Sequence, residues 1–146
     1  MQDVIDLSRA ECEQLLRTGI GGRIALSAPD GPHIVPVNYS VVDDAIIVRT
    51  SPYSVLGTYG RDSVLAFEVD RFDSDRQTGW SVVVRGRGEV VNDPDELDHI
   101  RATGEPRPWA SGARTLHVRL RWSEITGRRI GSARDLEHAL SARPTP

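Results

Sequence analysis

Alternation of apolar and polar residues predicts a chain built mainly from β-strands. In the last predicted strand Leu116, Val118, Leu120 and Trp122 face inward, whereas His117, Arg119 and Arg121 face outward. Asp43 and Asp44 separate two such segments and indicate a hairpin. The six predicted strands are Arg23–Ala28, His33–Val42, Ala45–Thr50, Ser63–Asp70, Gly79–Val91 and Arg114–Ile125.

Four short helical segments are predicted beside these strands, over residues 8–18, 53–60, 94–102 and 132–140, the second of them as a short helix or turn. Ser8 and Glu11 have the spacing of a capping box, and Gly19 ends the first helix. Leu56 is expected to anchor the second helix inward. Asp93 precedes a proline and has Glu96 three residues later, which is typical of a helix start. Residues 71–78 and 103–113 are interpreted as loops, and residues 127–129 as a turn.

Antiparallel strands with few helices favour a small closed barrel over a two-layer sandwich, because closure removes exposed sheet edges. Gly86 and Gly88 interrupt one face of the fifth strand, which indicates sharp coiling or close approach of another backbone. Pro36 cannot donate to a neighbouring strand and implies a bulge or an edge. We therefore expect a mainly β, six-stranded antiparallel split barrel over residues 1–131. A C-terminal helix and tail follow over residues 132–146, ending in RPTP.

Composition restricts the class of protein. The net charge of −3 argues against a nucleic-acid or membrane-surface protein, because both need a basic face. All 18 basic residues are arginine, so no lysine can hold a phosphate. The single Cys12 excludes an internal disulfide and is expected to be a buried apolar residue, and no Cys or His spacing predicts a metal site. The polar N-terminal segment resembles neither a signal peptide nor a membrane span, so we expect a soluble, cytoplasmic protein.

Candidate chemistry is concentrated at the end of the third strand, where Arg49, Thr50 and Ser51 precede Pro52. A guanidinium, hydroxyls and free helix amides together can hold a phosphate. Alternatively, Arg49 is a solvated charge and the hydroxyls cap a helix. Asn38, in an otherwise apolar strand, is either a hydrogen bonder that bends the strand or a ligand contact.

Several short motifs in sequence order resemble the FMN-binding split-barrel superfamily, specifically the pyridoxamine 5′-phosphate oxidase-like proteins. The resemblance covers roughly residues 5–131 and implies a six-stranded split barrel, a homodimer, and two flavin sites in the grooves between subunits. The matching motifs are GRIAL at Gly22–Leu26, PVNY at Pro36–Tyr39, Arg49–Thr50, AFEVD at Ala66–Asp70, GWSVVVRG at Gly79–Gly86, Pro108–Trp109 and TGRR at Thr126–Arg129.

Site residues follow from the resemblance by position. The FMN phosphate is expected at Arg49, Thr50, Ser51 and Ser54. The flavin ring is expected beside Pro36, Val37 and Asn38, and the partner subunit is expected to close the groove with Trp80 and Ser81. Trp80 and Trp109 are also the aromatic residues that an interface would use, although both could be ordinary core residues.

This chain departs from the pattern at Val55, where relatives commonly have lysine, so we expect micromolar FMN binding carried mainly by Arg49. The substrate signature of true pyridoxamine phosphate oxidases is replaced by TGRRIG, and vitamin B6 oxidation is therefore not expected. The main hypothesis is a flavin-dependent oxidoreductase of unassigned substrate. The alternatives are an F420-dependent reductase, a flavin or haem carrier, and a binding module without cofactor. His33 and His117, the strand histidines that a haem could use, are expected at the surface.

Overall fold

A computed structural model describes residues 3–141 and shows a mainly β chain, as the alternation of apolar residues predicts. Eight strands and four short helices lie within this range. In chain order they are β1 (Val4–Asp6), α1 (Arg9–Thr18), β2 (Gly21–Ala28), β3 (Gly31–Asn38), β4 (Ser40–Val42), β5 (Ala45–Thr50), α2 (Val55–Tyr59), β6 (Val64–Asp73), β7 (Thr78–Val91), α3 (Pro94–Gly104), β8 (Leu116–Ile130) and α4 (Ala133–Ser141).

All eight strands form one antiparallel sheet that curls into a half-barrel. The strand order is β3-β2-β6-β7-β8-β5-β4, and β1 pairs with β8. The two end strands, β3 and β4, are consecutive in sequence and only Tyr39 lies between them. A sheet whose two ends are joined by one residue cannot stay flat, so it curls into this half-barrel rather than forming two stacked layers.

The prediction of six strands is wrong in number. The predicted strand His33–Val42 is interrupted at Tyr39, whose amide donates to the Ile20 carbonyl (2.9 Å) and whose hydroxyl donates to the Leu16 carbonyl (2.6 Å). These bonds, one to the residue that precedes β2 and one to α1, hold Tyr39 at the break between β3 and β4. The eighth strand is β1, which pairs Val4 with Ile130.

The predicted turn at residues 127–129 is also wrong, because β8 continues to Ile130 with β7 on one side and β1 on the other. The loop predicted over residues 71–78 is shorter in the structure, since β6 extends to Asp73 and β7 begins at Thr78. The resulting β6–β7 hairpin reaches well beyond the barrel core. The extended hairpin forms one wall of a cavity.

Gly86 and Gly88 lie on β7, and the predicted close approach of another backbone is confirmed at both. A Cβ atom on Gly86 would collide with the Arg121 carbonyl, and one on Gly88 with the Gly60 carbonyl. The β7–β8 register shifts between Arg85 and Gly86, which is the bulge that lets the sheet bend.

The main core fills the barrel interior. Leu65, Phe67 and Val69 of β6 are buried as predicted, and the Phe67 ring meets that of Tyr39 edge-on at 4.6 Å between centroids. Helix α1 closes one side of this core with Cys12, Leu15 and Leu16. A second, smaller cluster lies between β5 and α3, so β5 is buried on both faces.

The helices begin where the capping signals predict. In α1, the Ser8 hydroxyl accepts from the Glu11 amide (3.2 Å) while the Ser8 amide donates to the Glu11 carboxylate (3.0 Å). Asp93 caps α3 by accepting from the Glu96 amide (3.0 Å). Helix α4 contacts α1 and β7 and buries Leu136; the RPTP end lies outside the described residues. Within residues 3–141 no helix combines the length and apolar character needed to cross a bilayer.

Candidate functional site

An arginine-rich cavity of about 390 Å³ lies where β5 ends beside β8. Strands β5 and β8 form two of its walls, and the end of α3 together with the loop of residues 105–115 forms the third. We call this cavity the Arg49 pocket; it is lined by Arg49, Arg101, Glu105, Arg114, Thr115 and His117.

Three elements bring these distant residues together. The antiparallel register of β5 and β8 places Arg49 opposite His117. Helix α3 carries Arg101 in its last turn and is followed at once by Glu105. The Ser40 hydroxyl of β4 donates to the Gly104 carbonyl (2.5 Å), which fixes the end of α3 above the sheet.

Glu105 is the carboxylate at the centre of the Arg49 pocket. Its Oε1 atom lies 2.9 Å from the His117 Nε2 atom and 3.4 Å from the Arg49 Nε atom. Arg49 Nε also donates to the Arg114 carbonyl (3.1 Å). Glu105 therefore orients one guanidinium and one imidazole, and the pocket still holds three guanidiniums against this single carboxylate.

Arg114 contributes a buried donor without an acceptor. Its Nε atom is shielded from solvent and has no hydrogen-bond partner among the described residues. Buried donors are nearly always paired in native proteins, so an unpaired one beside a cavity indicates an acceptor that comes from a ligand. Arg101 is only loosely engaged, with 3.7 Å between its Nη1 atom and the Asp98 carboxylate. The pocket thus has the donor set of an anion site.

The prediction that His117 is a surface residue is wrong, because only 5% of it is exposed. The outward face of β8 is covered here by the segment that follows α3, which period-two alternation cannot reveal. His33 is half-buried, with its Nε2 atom 2.8 Å from the Asp30 carboxylate. Both strand imidazoles therefore contact carboxylates.

The hydroxyls predicted to bind the phosphate form a separate group on the other face of β5. Thr50 Oγ1 lies 2.6 Å from Ser54 Oγ. Ser54 Oγ accepts from the Gly57 amide (3.0 Å) and donates to the Ser51 carbonyl (2.8 Å). The structure therefore shows Ser54 capping α2 with Thr50 bonded to it, and neither residue lies in the same pocket as Arg49.

The predicted ring contacts lie on β3, which contacts β5. Asn38 Oδ1 accepts from the Trp109 amide (3.0 Å), so the loop that lines the Arg49 pocket is also tied to β3. Pro36 is exposed on the outer face of β3, whereas Val37 packs inward against the core. The structure thus brings Asn38 close to the loop of the Arg49 pocket and separates Val37 from it.

Trp80 and Ser81 lie elsewhere in the chain. They pair with Arg129 and Arg128 near the far end of β8, whereas Arg49 pairs with His117 near its start. The Trp80 indole is buried in the core of its own chain. Within one chain, these two residues and the Arg49 pocket do not form a single site.

Sequence reasoning missed five residues of this pocket, namely Arg101, Glu105, Arg114, Thr115 and His117. Each is a charged or polar residue near the end of a helix or strand, and such side chains are usually just exposed to solvent. The pairing of β5 with β8 would have revealed His117, because it lies opposite the predicted Arg49. No local signal identifies Arg101 or Arg114.

Comparisons with protein families and with solved structures indicate the same family. A sequence profile described as pyridoxamine 5′-phosphate oxidase matches residues 8–129. A Mycobacterium tuberculosis protein, the uncharacterised Rv0080, is 34% identical over 134 residues, which cover 88% of this chain and 87% of the relative.

Two solved structures share both the fold and about a third of the sequence. An FAD-binding protein of Mycobacterium smegmatis is 31% identical with a TM-score of 0.73, over 86% of this chain and 97% of that one. A Corynebacterium glutamicum protein, provisionally described as a pyridoxamine 5′-phosphate oxidase, is 31% identical with a TM-score of 0.74. That match covers 87% of this chain and 98% of the other.

Proposed function

The chain belongs to the pyridoxamine 5′-phosphate oxidase family, and from this premise we propose that it is a flavin-dependent oxidoreductase. In this proposal the flavin nucleotide binds through its phosphate in the Arg49 pocket. The observation that carries the proposal is the set of three guanidiniums around one cavity with a single carboxylate. The FAD-binding relative from Mycobacterium smegmatis supports the cofactor class.

The donor chemistry of the Arg49 pocket fits a phosphate group. A phosphate is close to a dianion at neutral pH, and arginine donates a planar fork that matches its oxygens. Arg114 supplies a buried donor that needs an acceptor, and Arg101 supplies a second charge at the rim. Glu105 holds Arg49 in place and limits the excess positive charge that would otherwise destabilise the empty pocket.

A bound flavin supplies reversible electron transfer, and its reactive ring is part of the cofactor rather than of the protein. The task of the chain is then to bind and orient. Arg49, Arg101 and Arg114 hold the phosphate, and Asn38 lies on the neighbouring strand where the resemblance predicts the ring. FMN is the first candidate; three guanidiniums can also neutralise the diphosphate of FAD, and F420 remains the alternative cofactor.

We test the proposal by titrating the purified protein with FMN, FAD and F420 and following the visible absorption of each cofactor. Arg114→Gln removes one charge-assisted contact of about 1.5–3 kcal/mol and should weaken flavin binding by roughly ten- to a hundred-fold. Arg85→Gln removes the same charge from exposed Arg85 on β7, outside the pocket, and should leave affinity unchanged.

Unchanged flavin affinity in both Arg114→Gln and Arg49→Gln would place the phosphate elsewhere and contradict the assignment of the pocket. If none of the three cofactors binds to the wild-type protein, the binding module without cofactor becomes the better hypothesis. A haem titration tests the carrier hypothesis: a Soret shift would support it, and no shift would count against it.

A further inference from the structure

A second cavity, of about 190 Å³, lies beneath α4 near the end of β8 that is distant from the Arg49 pocket. Its walls come from the β6–β7 hairpin, the last residues of β8, and α4. We call it the α4 cavity; its lining includes Arg71, Trp80, Arg129, Ile130, Asp135 and Leu136.

The inner wall of the α4 cavity is apolar. Trp80 and Leu136 are both buried, and Ile130 is half-buried beside them. An apolar cavity of about 150 Å³ is already large enough for a benzene ring. The α4 cavity therefore has room for one aromatic ring, and it is too small for a nucleotide.

The rim of the α4 cavity carries a guanidinium that nothing else uses. The Arg71 guanidinium has no hydrogen-bond or ion-pair partner among the described residues. The neighbouring carboxylates are engaged locally: Asp73 accepts from the Arg76 amide (3.0 Å), and Asp135 accepts from the Ser132 amide (2.8 Å). Arg71 is thus available to a ligand, whereas each of these two carboxylates already accepts a hydrogen bond from a nearby backbone amide.

The charges around the α4 cavity suit a monoanion. Arg71, Arg76 and Arg129 line it together with the two carboxylates of Asp73 and Asp135. One net positive charge favours a carboxylate over a phosphate dianion, because the second phosphate charge would face the two acids without compensation. A planar carboxylate also matches the guanidinium fork of arginine.

We propose that the α4 cavity binds a small aromatic carboxylate, with its ring against Trp80 and Leu136 and its carboxylate on Arg71. This site is separate from the Arg49 pocket and does not depend on flavin binding. Because α4 forms one wall, the bound acid also adds contacts between α4 and the barrel, which should raise the melting temperature of the whole chain.

The test uses salicylate as the probe, titrated calorimetrically into the full chain before and after saturation with FMN. Salicylamide has the same ring without the charge, and inorganic phosphate has charge without the ring; both should bind at least tenfold more weakly. Arg71→Gln should weaken salicylate binding by roughly ten- to a hundred-fold, and Arg71→Lys, which keeps the charge but loses the fork, should give an intermediate affinity.

Two matched variants make the outcome decisive. Arg85→Gln removes an exposed arginine that lies on β7 of the same hairpin but outside the cavity. This variant should bind salicylate like the wild type. Arg114→Gln alters the Arg49 pocket and should also leave salicylate binding unchanged. The proposal is overturned if Arg71→Gln binds salicylate normally, if FMN or Arg114→Gln abolishes binding, or if salicylate does not bind at millimolar concentration. Circular dichroism verifies that each variant is folded.

Discussion

Val55 illustrates how one side chain changes the expected chemistry of the site. The family resemblance implies lysine at this position, and such a lysine could contact a phosphate in the groove only if its side chain faced the groove. In the structure Val55 packs against the barrel core, so that condition is not met. Arg101 and Arg114 line the same cavity as Arg49 and bring two further positive charges to it.

Phe67 is the residue on which the barrel core depends most clearly. It is completely buried and its ring contacts Tyr39, so Phe67→Ala should leave a cavity and lower the free energy of unfolding by about 3–5 kcal/mol. Chemical denaturation measures this loss. Phe72→Ala is the matched control, because Phe72 lies on the same strand and is mostly exposed. A loss below about 1 kcal/mol for Phe67→Ala would mean that the inward face of β6 is assigned incorrectly.

At the scale of elements, an ion-pair group links β2 to β6. The Arg23 Nη2 atom lies 2.9 Å from a Glu68 carboxylate oxygen and 2.9 Å from one of Asp70. Burial, together with the nearby Asp70, raises the pKa of Glu68 above its ordinary value even though Arg23 acts in the opposite direction. The folded chain therefore holds the Glu68 proton more tightly than the unfolded chain does.

This shift predicts a pH-dependent stability with a definite sign. Because the folded pKa of Glu68 is raised, its contribution to stability is greatest at low pH and is lost as the pH rises from about 4.3 through the folded pKa. Chemical denaturation at several pH values gives the free energy of unfolding of the wild type and of Glu68→Gln. Relative to Glu68→Gln, the wild type should become less stable as the pH increases toward neutrality. The raised pKa would be contradicted if the difference in free energy of unfolding between the two proteins did not change with pH, or if it changed in favour of the wild type as the pH rose.

The elements that the sequence predicts well are those with local causes. Period-two alternation places β5, β6 and β7 correctly, and capping residues place the starts of α1 and α3. The break at Tyr39 and the continuation of β8 through Gly127 were missed because both depend on partners distant in sequence. The candidate site follows the same rule: Arg49 is visible at a strand end, whereas Arg101 and Arg114 join it only through tertiary packing.

At the scale of the whole molecule, one outer face of the sheet exposes apolar side chains to solvent. Ile34 on β3 is 72% exposed and Val64 on β6 is 61% exposed. Ala25 of β2 pairs with both Ile34 and Ala66, so small and apolar residues run across three adjacent strands. Contiguous exposed apolar surface of this kind usually marks an interface. Trp109, at 74% exposure, is also available to an interface, whereas Trp80 is not.

The apolar strip across β3, β2 and β6 supports the homodimer that the family resemblance implies. The same strip on two copies can meet about a twofold axis, which makes a self-complementary interface. Light scattering at micromolar concentration should therefore give twice the mass of one chain, and Ile34→Asp should give a single chain because it buries an unpaired charge. Val4→Asp is the control, since Val4 is an exposed apolar residue on β1 and should leave the dimer intact. A wild-type protein with the mass of one chain, or a dimer that survives Ile34→Asp, would remove this face as the interface.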